Sequence, residues 1–222
     1  MFSLEDAKRS LSEDGYVEWK DSDVGDIVSQ LEERCFAFMS RWGLDYCDDH
    51  VFNDTRCKEI IGNTLGPCFL GHWLRYGAFP DNIECYRKGG SDTGLQVLAV
   101  QHLCKGSKVE LFPDSHLHNL PTKVGVRLLF ETTREDLLRS GCRSIVEDYP
   151  DGGLIIRDAR LFTTIKKGYA ITWLFGKGNA ISRWAKIPLP SIPDLIRRIV
   201  QMETSDIKIN FEIAHPAPSN AA

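Results

Sequence analysis

From residue 82 onward the sequence breaks into short apolar segments set between turn residues, and that texture limits the folds open to the chain. The segments are "NIECYRK", "LQVLAVQHL", "SKVELF", "KVGVRLLFE", "CRSIVEDY", "GGLIIRD", "RLFTTI" and "GYAITWLFG". Each is rich in Val, Ile, Leu or aromatic residues, which suit a pleated and half-buried backbone, and turns containing Gly, Pro, Asp or Lys-Gly separate them. About eight short strands at this spacing predict two facing sheets, a β-sandwich or jelly roll. One short helix, "REDLLRS", interrupts them.

The flanks read differently. Asp21 or Ser22 can cap a helix in which Ile27, Leu31, Cys35, Phe38 and Trp42 recur at helical spacing. "DTRCKEIIGN" predicts a further helix ending near Gly62, and the apolar, glycine-punctuated "GPCFLGHWLRYGAFP" a third. "PSIPDLIRRIVQME" predicts an amphipathic helix from about Pro193. "DIKINFEIA" alternates polar and apolar residues, as a late edge strand or an arm packed on a partner would, and "HPAPSNAA" reads as disordered. No repeat or linker divides the chain. The expectation is a single domain over 1–222, with N-terminal helices to about residue 80, a β core over about 82–176, and a C-terminal helix and tail over about 191–222.

The 222 residues, 42% of them hydrophobic, can bury one generous core. A net charge of −4 with acids and bases interspersed gives no electrostatic case for nucleic acid or an anionic membrane. Lys166-Lys167 and Arg197-Arg198 are too short to form patches. No apolar run is long enough to span a bilayer, and "MFSLEDAKRSLSEDGY" lacks a signal-peptide core, so the expected address is cytoplasmic. The seven cysteines form no C-x-x-C pair, which leaves a zinc ribbon and a redox dithiol unsupported. Several lie in apolar runs, as buried thiols of a reducing compartment do.

Helices followed by a jelly roll bring a family into view. Through "LAVQHLCKGSKVELFPDSHLHNLP" and "GGLIIRDARLFTTIKKGYAITWLFG", residues from about 95 to 175 resemble the phytanoyl-CoA dioxygenase-like branch of the iron(II)/2-oxoglutarate oxygenases. The resemblance implies a mainly β fold with flanking α-helices, the cupin-like double-stranded β-helix. Pro113-Asp114-Ser115-His116 matches the family's Pro-Gly-Ser-His turn, and Asp158-Ala159-Arg160-Leu161-Phe162-Thr163 its Asp-x-Arg-x-x-His motif. The family holds iron through His-x-Asp/Glu on an early strand and a distal His on a late one. Here the early region "NIECYRKGGSDTG" has no histidine, Thr163 stands at the distal position, and Thr172, Trp173 and Leu174 stand where the 2-oxoglutarate arginine belongs. A threonine hydroxyl is no equal of imidazole as an iron ligand, and a dicarboxylate without a cation lacks its charge-assisted pair. No cofactor is therefore expected. The alternative is Fe(II) and 2-oxoglutarate in a rearranged site.

The stretch "LFPDSHLHNLP", residues 111–121, is the place to look for such a rearrangement, because on an extended strand Asp114, His116 and His118 would project from one face. The resemblance makes these residues scaffolding instead, with His116 fixing a strand end, Asp114 an Asx-type turn residue and His118 a loop residue. A cupin reading of His116-x-His118 lacks the glutamate that should follow. His102 and His116 are the acid/base candidates, and Tyr86, Arg127, Thr163 and Trp173 the candidate substrate-binding residues; Arg157 lies on a predicted strand whose facing is open. Cys47-Asp48-Asp49-His50 reads as a polar turn, His72 as a core or rim residue, and "FGKGNA" as a glycine turn without the strand-to-helix context of a phosphate cradle.

Three functions fit these readings. One is a metal-deficient, non-oxidative enzyme of isomerase, cyclase or dehydratase type acting on a small apolar metabolite. A second is a catalytically silent partner of a dioxygenase-like protein, docked through "DIKINFEIA", with a homodimer as the variant of that partnership. The third is an oxygenase with a displaced iron site.

Overall fold

The computed structural model of the chain describes residues 2–214, so the "HPAPSNAA" tail lies outside the described residues. The chain opens with α1 (Leu4–Glu13), β1 (Tyr16–Lys20) and α2 (Ser22–Glu33). Asp21 caps α2 as expected, its carboxylate accepting from the amides of Asp23 and Val24. The helix does not run on to Trp42. Cys35 and Phe36 take left-handed conformations (φ 53° and 54°), which end it and turn the chain into α3 (Arg41–Cys47), a π-helical turn (Asp48–Phe52) and α4 (Thr55–Leu65).

The strands that follow are β2 (Cys68–Gly77), β3 (Ile83–Cys85), β4 (Val97–Leu103), β5 (Ser107–Leu111), β6 (Lys123–Val124), β7 (Phe130–Thr132), β8 (Ile145–Tyr149), β9 (Gly153–Asp158), β10 (Thr163–Lys167), β11 (Tyr169–Gly176), β12 (Ile187–Pro190), β13 (Ile207–Ile209) and β14 (Phe211–Ala214). Between them lie α5 (Arg134–Arg139), α6 (Gly178–Ile181) and α7 (Pro193–Met202). The strands form a major sheet, ordered β1-β9-β4-β11-β2-β13, and a minor sheet, ordered β6-β7-β3-β10-β5-β8, with β12 and β14 paired apart.

The major sheet is covered on both faces. One side, carrying Trp73, Leu98, Val100, Ile156, Trp173 and Phe175, packs on Val28, Leu31, Leu44, Ile60 and Ile61 of the helices. The other side meets the minor sheet, where Leu103, Ile155 and Ala170 pack on Val109, Leu111 and Leu161. At roughly 1.5–3 kcal/mol for each large apolar side chain buried, these two interfaces are the main source of stability.

Three expectations are corrected. "GPCFLGHWLRYGAFP" is not a helix but β2, paired with β11 and β13; a strand apolar towards both faces loses the alternation that identifies strands. Because β1 and β2 both join the major sheet, the β core draws on residues before 82. "KVGVRLLFE" is not one strand but β6 and β7 flanking a loop in which Leu128 is left-handed (φ 61°). The tail segment is tied down within the chain as well, β13 running parallel to β2 and β14 parallel to β12.

Candidate functional site

Between the sheets, the ladder of β3 and β10 sets Thr163 opposite Glu84, and strand alternation returns Tyr86 to the same side. The side chains that this ladder gathers are Glu84, Tyr86 and Thr163. They line the lumen together with Tyr76, Gln101 and Arg157 from the major sheet and Arg127 and Leu129 from the β6–β7 loop.

Arg157 organises the lumen. It is 2% exposed, its Nε donates to Gln101 Oε1 at 2.9 Å and its Nη1 donates to the Leu161 carbonyl at 2.7 Å. Its guanidinium lies 4.7 Å from the centre of the Tyr86 ring, within cation–π range. Gln101 Nε2 donates in turn to Thr172 Oγ1 at 3.1 Å and to the Tyr86 hydroxyl at 3.3 Å. Among the described residues no carboxylate pairs with Arg157. The lumenal carboxyl, Glu84, lies 3.5 Å from Arg127, and the adjacent Asp158 is held by Arg160 at 2.7 Å. The space left among these groups is about 20 Å³, enough for about one water.

Burial raises the Glu84 carboxyl above the usual carboxylate range. Arg127 and Arg157 pull it down, while Glu131, directly opposite on β7, pushes it further up. Glu84 Oε1 is buried with no hydrogen-bond partner. Glu131 is served elsewhere, by Asn82 Nδ2 at 2.7 Å and Lys123 at 3.4 Å. Burial also raises the Tyr86 phenol, against the pull of Arg157. The lumen thus holds two guanidinium groups against one carboxyl whose pKa burial raises.

This donor set does not fit iron. Among the described residues, no three side chains of His, Cys, Asp or Glu converge as ligands. The lumen offers one carboxyl, a phenol and a hydroxyl, and two guanidinium groups repel a divalent cation in the same space. Thr172, one of the residues that the resemblance set at the 2-oxoglutarate anchor, offers only a hydroxyl already engaged by Gln101.

Of the sequence candidates, Tyr86, Arg127 and Thr163 come together in the lumen, although Arg127 reaches it from a loop and not a strand. His102 and Trp173 do not. They lie on the opposite face of the major sheet, one residue out of phase with Gln101 and Thr172. His102 Nδ1 lies 2.9 Å from the Tyr46 hydroxyl, and its ring meets Trp173 edge-on at 4.8 Å. Burial pushes its pKa down to about 3, and Trp173 stacks on Tyr46, so both belong to the interface with the helices.

The extended reading of "LFPDSHLHNLP" is corrected too. Asp114 is left-handed (φ 58°) and Ser115–Leu117 form a 3₁₀ turn, so Asp114, His116 and His118 share no face. The turn is structural: Ser115 Oγ accepts from the Phe162 amide at 3.0 Å, and buried His116 sets Nε2 3.3 Å from the Ser12 carbonyl. Gly15 makes room for that imidazole, because a Cβ there would lie 2.6 Å from His116 Nδ1.

No family model and no curated protein matches the chain. Solved structures do. Apo HygX from Streptomyces hygroscopicus matches with a TM-score of 0.54 at 11% identity, over 86% of this chain and 92% of that one. The epimerase SnoN, in complex with Fe3+, alpha ketoglutarate and nogalamycin RO, matches with a TM-score of 0.53 at 11% identity, over 79% and 84%. EctD from S. alaskensis, with 2-oxoglutarate and 5-hydroxyectoine, matches with a TM-score of 0.52 at 11% identity, over 83% and 79%. The chain has the double-stranded β-helix fold of these structures. At such identity the likeness is one of fold, and function has to be argued from the site.

Proposed function

We propose that this chain is a metal-independent jelly-roll protein whose lumen takes a small polar molecule and performs non-oxidative proton-transfer chemistry of isomerase or dehydratase type. The observation that carries the reading is Arg157, a buried guanidinium that no carboxylate among the described residues pairs with, set in the lumen between the sheets. Its charge opposes a dication and favours an oxygen on which negative charge develops. Glu84 supplies the complementary group. A carboxyl whose pKa burial raises is a stronger base once ionised, and with Oε1 unengaged it can take a proton from carbon and return it. In this scheme Glu84 removes the proton, Arg157 and the Tyr86 hydroxyl receive the charge that builds on the adjacent oxygen, and Glu84 then delivers the proton to the product. Such a polar wall favours a polar ligand over the apolar one suggested by the sequence.

The test is hydrogen exchange into unknown substrates. Chelator-treated protein is incubated in heavy water with a mixture of small carbonyl compounds and organic acids, and products are read by mass spectrometry. Solvent deuterium at carbon, abolished by Glu84→Gln, is the expected result. Products that gain oxygen, or activity lost to the chelator, would overturn the reading. A catalytically silent partner is the second reading, favoured by a lumen of only about 20 Å³. A stable heterodimer with a dioxygenase-like protein, together with no exchange in any compound, would establish it.

A further inference from the structure

Resting on that reading, we propose that the lumenal ligand is a small monocarboxylate, its carboxylate seated on Arg157. Removing a guanidinium from water without a counter-ion is costly, and folded chains offset that burial by pairing or hydrogen bonding. Here the protein supplies only half of an answer. Nε and Nη1 are each committed to a neutral acceptor, the Gln101 amide oxygen and the Leu161 carbonyl, and the Tyr86 ring adds an aromatic face. No anion among the described residues completes the set, although Asp158 is the next residue; that carboxylate is turned away into Arg160, which donates to it through both Nε and Nη2. A carboxylate is the planar acceptor that a guanidinium matches best, and the Tyr86 hydroxyl stands beside it as a further donor.

The charge of the lumen sets the ligand's valence. With Glu84 ionised, as its role as base requires, Arg157 and Arg127 leave one positive charge uncompensated. One negative charge neutralises it. A second carboxylate on the ligand would meet Glu84 and, on the neighbouring strand, Glu131. The structure therefore favours a monocarboxylate over a dicarboxylate of the 2-oxoglutarate kind.

Entry requires Arg127 and Leu129 to move, because the closed lumen is smaller than any carboxylic acid. The β6–β7 loop is built for that. Its side-chain tether is Arg127, which lies 4.2 Å from the centre of the Phe79 ring and donates to the carbonyls of Gly77 and Ala78 at 3.1 and 3.4 Å. Its tip is held by backbone bonds within the loop itself, from Leu128 N to the Gly125 carbonyl and from Gly125 N to the Leu129 carbonyl, with Val126 85% and Leu128 83% exposed, and Leu128 holds a left-handed conformation that disfavours a leucine.

The probe is sodium acetate, titrated into the chelator-treated, ¹⁵N-labelled full chain while the Arg157 Nε–Hε resonance is followed. Acetamide serves as the neutral isostere and sodium chloride as the ionic control. The expected result is a saturable shift with acetate only; followed on the Gln101 side-chain amide instead, binding is weakened about tenfold or more by Arg157→Met. Should Arg157→Met fail to fold, the comparison of acetate with acetamide carries the test. A linear shift, or one that acetamide or chloride reproduces, would make Arg157 a structural guanidinium and overturn the inference. Stoichiometric iron(II) binding by the same sample overturns the site reading itself, whereas absence of both iron and acetate binding overturns the carboxylate alone.

Discussion

Replacing His102 with glutamine should flatten the acid side of the stability curve. His102 is 1% exposed, faces the helices beside Tyr46 and Trp173, and has its pKa pushed down to about 3 by burial. In the unfolded chain a histidine titrates near 6.5, so on acidification the unfolded state takes up a proton that the folded state refuses. Stability from this group is complete above about pH 6.5 and is lost progressively as pH falls towards about 3. Between about pH 8 and about pH 5 the loss works out at about 2 kcal/mol, and it hardly depends on how far below 5 the folded value lies. Burial also pushes His50, His72 and His116 down, so the total slope is steeper, but the difference between wild type and variant isolates His102. Glutamine leaves the Tyr46 hydroxyl a polar neighbour and does not titrate. Urea unfolding at the two pH values, followed by tryptophan fluorescence, should give the wild type an extra loss of about 2 kcal/mol relative to His102→Gln. Equal losses would refute the reasoning, because His102 would then be protonated in the folded protein and could not be the dry scaffold described above.

Other perturbations follow from the same geometry. An alanine for glycine usually helps a helix by about 1 kcal/mol, but at Gly25 in α2 a Cβ would lie 2.0 Å from the Asp151 carbonyl oxygen, so Gly25→Ala should lower stability in a thermal melt by about 2 kcal/mol or more. Arg198 ties α7 to α3 and the turn after it, donating to Asp45 at 2.6 Å and Asp48 at 2.7 Å; Arg198→Met should cost about 1–3 kcal/mol, and added salt should shrink the gap between variant and wild type in paired melts. Glu84 is raised by burial, so its stabilising contribution is complete below the unfolded carboxylate range and is lost as pH rises through its folded value. Glu84→Gln should therefore gain stability relative to wild type between about pH 4 and about pH 8 while losing exchange activity, as expected where a site is strained for function. An unchanged difference across that range would mean that Glu84 is solvated.

The sequence made the β-rich half and its two-sheet architecture legible because Val, Ile and aromatic runs between turn residues resist other interpretations. Thr163, which the resemblance sets at the distal position, does lie in the lumen. What stayed hidden was facing. In "GGLIIRD" and "LAVQHL" both sides of the strand are buried, so polarity does not alternate and nothing in the letters says that Arg157 and Gln101 turn into the lumen while His102 turns away. The same loss of alternation disguised β2 as a helix. Arg127 was legible as a binding candidate, but its place on a loop was obscured for a different reason. "KVGVRLLFE" has strand-forming residues throughout, yet a left-handed Leu128 breaks it into a loop whose arginine returns to the site. For "LFPDSHLHNLP" the ligand-like spacing was real, but Asp114 in the left-handed region turns the backbone before any face can form.

The central claim is that this jelly roll holds an arginine where its structural neighbours' fold can hold a metal. Anaerobic titration of the chelator-treated protein with iron(II), alone and with 2-oxoglutarate, tests it most directly, read by elemental analysis after desalting and by the visible charge-transfer band. The expected result is neither stoichiometric iron nor a band, with Arg157→Met alone unable to restore them. One iron per chain, retained through desalting and accompanied by the band, would contradict the claim and return the lumen to oxygen chemistry.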